Sequence, residues 1–167
     1  MGSSRNYNLD ADTLNHYVGI DKTIDREVVF KHYPRVSKRT PTGYHQWKST
    51  YILSSNDTVD NLYLTLKSMR NIDYEYHSFL LSYRHKGVEN FIYHLEVYPD
   101  YEISHREPNG ESIFGPHIHH LMRKVVPVRP EGYINFTWYE WLEYFNQQTN
   151  ITINAKVKSA FDGELDL

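Results

Sequence analysis

The 167-residue sequence contains no cysteine, which removes disulfide frameworks, thiol catalysis and cysteine-ligated zinc modules. It has no apolar run near the ~18 residues that span a bilayer, and no signal peptide opens it, so a soluble, cytoplasmic protein is expected. Positive charge is not in excess. Eighteen Lys and Arg stand against 21 Asp and Glu, a formal net charge of −3, which argues against a surface that grips nucleic acid all over and leaves room for a local basic patch. There is no Walker loop, dinucleotide-binding glycine turn, nucleophile elbow or His-Glu-x-x-His motif.

What is present is enough for one core, with 40% hydrophobic residues. Residues 1–12 carry few apolar anchors and read as a flexible terminus, with 13–167 as a single α+β domain. Tyr, at 15, outnumbers Leu, at 13. Tyrosine favours half-buried strands and also contact surfaces, and both uses stay open. The 10 histidines are unevenly spread.

Glu27–Arg35 and Gly43–Leu53 read as strands around a turn at 37–43. Val59, Leu62, Leu66 and Met69 recur at three and four, predicting a helix from Asp57 to Arg70. Tyr74–Arg84 and Asn90–Tyr98 follow as strands joined at Lys86-Gly87. Pro99-Asp100 and Pro108-Asn109-Gly110 mark turns into Tyr101–Glu107 and Ser112–Arg123, and a short strand is expected within Lys124–Val128. Thr137-x-x-Glu140 is a capping box, with Phe136 and Trp141 at the staple positions, so a helix runs from Thr137 to Gln148. The expectation is an antiparallel sheet of five to six strands with two helices on one face.

Chemistry concentrates between Tyr101 and Met122. His117 and His119 share a strand face with Cα atoms roughly 7 Å apart, a spacing that lets two imidazoles grip one metal. A two-residue turn at Pro99-Asp100 sets His94 opposite His105, on the face of Glu96. The expected ligands are therefore His117 and His119 with help from His105 or His94, and a His/carboxylate set suits zinc. An uninterrupted second hairpin turns His117 and His119 away from His105, so a bulge is needed, and Gly115-Pro116 is the place for one. Without metal, His105 and His119 can serve as general acid and base in RNA cleavage. Arg106 and Arg123 would stabilise the phosphorane, and Lys38, Arg39 and Lys48 would contact phosphate.

His105, Pro108-Asn109-Gly110, Ile113 and Pro116-His117-Ile118-His119 resemble the His-x-Asn-Pro-Asp-Gly … Pro-His-x-His hairpin of an uncharacterised family of small prokaryotic and phage proteins, which end in an aromatic helix as Phe136–Asn150 does here. Asn109 stands where that family has Asp. The resemblance implies a mobile-element setting: toxin systems, host defence or counter-defence. Two functions follow. One is a zinc-stapled inhibitor, similar to an anti-CRISPR protein, that binds a Cas9-type CRISPR nuclease through strand tyrosines such as Tyr44, Tyr74, Tyr83 and Tyr98. The other is a histidine-dependent ribonuclease toxin of a toxin–antitoxin system.

Overall fold

Alternation governs most of this chain. Leu62, Leu64, Leu66 and Ser68 are fully buried while the residues between them point the other way, as in a strand with one face on a core. The computed structural model describes residues 9–37, 40–71, 75–120 and 125–162, and only the backbone path within 34–44. In chain order it comprises α1 (Ala11–Gly19), β1 (Lys22–Ile24), β2 (Lys31–Ser37), β3 (Thr40–Ile52), β4 (Ser54–Ser55), β5 (Leu62–Arg70), β6 (Glu75–His85) and β7 (Val88–Val97). There follow β8 (Ile103–Arg106), β9 (Ser112–Phe114), β10 (His117–His120), β11 (Val126–Pro127), a 3₁₀ turn at Tyr133–Asn135, α2 (Trp138–Thr149) and β12 (Ile151–Ile153).

The main sheet has seven strands in the order β11-β10-β7-β6-β5-β3-β2, all neighbours antiparallel. A three-stranded sheet, β12-β1-β4, includes one parallel pair, and β8-β9 is a separate ribbon. Both helices cover one face of the main sheet. On α2, the Phe145 ring lies 5.9 Å from Phe79 and 5.8 Å from Tyr93; on α1, Tyr17 meets Tyr83 at 5.1 Å. The start of α2 is built as its motif requires: the Glu140 carboxylate accepts from the Thr137 backbone N–H at 2.5 Å, and the Phe136 and Trp141 rings meet at 5.1 Å. At the end of α1 the buried Lys22 ammonium donates to the carbonyls of Tyr17, Val18 and Ile20, acceptors that the helix leaves unpaired.

The fold class is α+β with two helices, as expected, but three features depart from the reading of the sequence. The segment from Asp57 to Arg70 is no helix. Leucines at 62 and 66 fit both periods, and the long pairings of β5 with β3 and β6 select the strand. The first helix is α1, with Asp10 as its N-cap accepting from the Thr13 N–H at 2.7 Å, so helix begins inside the segment read as flexible. The main sheet has seven strands rather than five to six because β5 joins it, and β2 and β3 reach further than read, pairing Ser37 with Thr40.

Candidate metal centre

The chain crosses from β7 to β10 by way of the β8-β9 ribbon. Gly115 closes that detour at φ +70°, and a Cβ there would meet Asp100 Oδ1 at 2.7 Å, so the turn requires glycine. The detour lets β10 lie directly against β7, pairing His117 with Glu96 and His119 with His94. This corrects the sequence register, in which His94 faced His105. His105 instead pairs with Ile113 in the ribbon, next to an irregularity between Ile103 and His105. The bulge expected at Gly115-Pro116 is in effect a change of partner strand.

Alternation then puts His117, His119, Glu96, His94 and Ser78 on the sheet face opposite the helices. Glu96 is the hub. His119 Nε2 lies 3.1 Å from Glu96 Oε2, His117 Nε2 lies 3.2 Å from the same oxygen, and the two nitrogens are 3.1 Å apart. Ligands bound at ~2.0–2.1 Å sit about 2.9 Å apart at right angles and about 3.3 Å apart at tetrahedral angles, so this triangle has the dimensions of a coordination face. Two N–H donors can serve the edges that meet at Glu96 Oε2, but they leave the two imidazole nitrogens 3.1 Å apart with no bond between them. A cation just above the plane engages all three donors at once.

The surrounding groups hold those donors in place. His117 is fully buried, and its Nδ1 lies 3.3 Å from the Gly115 carbonyl, a contact that orients the ring with Nε2 toward Glu96. The Tyr76 hydroxyl donates to Glu96 Oε1 at 2.6 Å, leaving Oε2 for the triangle. His94 Nε2 meets the Ser78 hydroxyl at 2.7 Å and Glu96 Oε1 at 3.9 Å. The His105 ring lies 5.4 Å from that of His119 and 6.0 Å from that of His117. His94, Glu96 and His119 together form a group that can hold a metal ion, with one donor atom from each within 4.8 Å of the others. His117 adds the tighter edge.

Burial opposes the charge on Glu96, but hydrogen bonds from His117 and His119, the His94 charge and the Tyr76 hydroxyl outweigh it and hold the carboxylate well below its usual range. Burial pushes His94 down to about 4, against the pull of Glu96, and lowers His105 with help from the His119 charge. Burial and the Glu96 charge raise the Tyr76 phenol, so it stays a donor.

The four expected ligands thus come together, His117, His119 and His94 around Glu96 and His105 beside them. Glu96 shows in the sequence as a same-face neighbour of His94. Tyr76 and Ser78 show in nothing local, since they arrive through the pairing of β6 with β7. Of the proposed acid–base set, Arg106 is turned to Ser112, to which it donates at 3.3 Å, and Arg123 lies outside the described residues, as do Lys38 and Arg39. Among the described residues no helix is long and apolar enough to cross a membrane. No family model, curated protein or solved structure matches this chain.

Proposed function

We propose that the protein is a zinc-dependent phosphodiesterase acting on RNA, with Glu96, His117 and His119 as the metal ligands. The observation that carries this reading is the donor triangle, with edges of 3.1, 3.1 and 3.2 Å. Three protein ligands leave positions free, and a zinc held in this way supplies a bound water of lowered pKa. His105, on the ribbon beside His119, is the group placed to hydrogen-bond such a water. Among the described residues, the lysine that register places closest to Glu96 on that face is Lys67, two strands away.

The alternative, a zinc-stapled inhibitor of a Cas9-type CRISPR nuclease, has less to lean on. Tyr83 is taken up by Tyr17, and Tyr98 packs on Tyr76 and His117, while Tyr74 and the Tyr44 side chain fall outside what is described. Elemental analysis of protein prepared without a histidine tag should find about one zinc per chain, absent from the His117→Ala, His119→Ala double variant. Cleavage of an RNA oligonucleotide should stop on chelation, return with zinc and be lost in Glu96→Gln. Cleavage that survives complete metal removal would replace the metal with histidine acid–base chemistry. Iron in place of zinc, or no retained metal and no cleavage, would end the hydrolytic reading.

A further inference from the structure

The face that carries the metal centre also carries a line of charge. Register runs from His117 to Glu96, from Glu96 to Ser78, from Ser78 to Lys67, from Lys67 to Lys48 and from Lys48 to Lys31. Six side chains from six adjacent strands therefore lie in one row. From Glu96 to Lys31 the row covers four strand spacings, about 19 Å.

Three lysines directly opposite one another repel, and a sheet without a use for them is destabilised by the arrangement. Among the described residues Lys31 and Lys48 have no carboxylate within ion-pair distance, and both are exposed. With Tyr33 and Thr50 they line a cleft of about 400 Å³ at the edge of the sheet. Tyr33 is 45% exposed, two residues from Lys31 and on the same face, where its ring offers a platform for a base. Lys67, inward of these, reaches over the Tyr76 ring at 5.5 Å, and Tyr76 in turn touches Glu96.

We propose that this row is a phosphate track for single-stranded nucleic acid, running from the Lys31–Lys48 cleft past Lys67 to the Glu96–His117–His119 centre. It rests on the hydrolytic reading only for what happens at its end. A flat sheet face with lysines and an exposed ring suits a splayed single strand, whereas a duplex needs an element that enters a groove. The chain's net charge of −3 confines binding to the row, so the number of phosphates neutralised should be small. Three contacts to a single strand predict a log–log salt slope of about −2, an affinity loss of about 20-fold between ~50 and ~200 mM salt.

The test is fluorescence anisotropy with short labelled oligouridylate and oligothymidylate and a duplex control, on the full chain in chelator, where no turnover occurs. Both single strands should bind better than the duplex, with the slope above; a preference for oligouridylate would add contacts to the 2′-hydroxyl. Lys31→Glu with Lys48→Glu should weaken binding at least 10-fold and bring the slope towards −0.7, the value for one remaining contact. Both lysines are exposed, and an unchanged melting temperature checks that the variant is folded. Glu143→Gln, exposed on α2 on the other side of the sheet, should bind as the wild type does. Unchanged binding in the double-lysine variant, tighter binding of the duplex, or no binding by the wild type overturns the track. Any of these can occur while zinc is retained, and strand binding can persist where zinc is not, so the failure of either reading is visible without the other.

Discussion

On the helix side of the seven-stranded sheet, Leu64, Leu66, Phe79, Leu81 and Leu95 are fully buried against Phe145 and its neighbours. One residue along the same strands, the other side carries Lys67, Ser78, His94 and Glu96. The two faces are held by different physics. The first is stabilised by apolar area, roughly additive and tolerant of reshaping. The second depends on a few polar atoms that need one another, so loss of a single donor leaves the rest unsatisfied. A face of the first kind specifies a fold, and one of the second kind specifies a site.

The two faces are not independent if damage to one is felt on the other. Phe145→Ala removes a fully buried ring that touches Phe79 and Tyr93 and should cost about 3–5 kcal/mol in urea unfolding. Metal content per folded chain should be unchanged. A fall in that ratio would mean that the helix side positions the donors and that the faces are not independent.

Tyr76→Phe tests the polar face. It deletes the hydrogen bond that holds Glu96 Oε1 while keeping the ring. Orienting partners of this kind are worth about 10- to 100-fold in metal affinity, whereas the stability of the metal-free protein should fall by only about 1 kcal/mol. Competition with a chromophoric chelator measures the first and urea unfolding the second. Equal losses in both would make Tyr76 a packing residue.

The helix side was the more legible in the sequence, and for a physical reason. The capping box at Thr137 and the aromatic stripe of α2 are local signals, as are Lys86-Gly87 and the tight turns, whose positive φ values at Lys86, Gly87 and Gly110 need little context. β5 reads as a helix in the sequence because leucines four apart satisfy either period, and only its neighbours decide between them. α1 leaves no stripe to read because it buries a single residue, Leu14. On the site side, the same-face pair His117 and His119 was legible from its spacing. Its partner strand was not, since counting register along consecutive strands assumes that each pairs with the next. The ribbon excursion breaks that assumption and replaces His105 by His119 opposite His94.

The smallest expected effect belongs to pH acting on the helix side at the start of α2. The Thr137 backbone N–H holds Glu140 below its ordinary value of 4.5. A carboxylate lowered in this way contributes stability that is present above the ordinary value and is lost as pH falls through the lowered one. Glu140 is solvent-exposed, so the contribution is small and is best read as a difference. Glu140→Gln should melt below the wild type at neutral pH, and the gap should close on acidification past pH 4.5, the point at which the charge that caps the helix disappears. The capping-box geometry predicts this closure, because a Gln side chain keeps an acceptor for the Thr137 N–H but loses the favourable interaction of a negative charge with the helix N-terminus. A gap that stays constant across that range would assign the effect to side-chain shape instead. A gap that opens on acidification would mean that Glu140 destabilises α2 at neutral pH and that Phe136 and Trp141 set its start on their own.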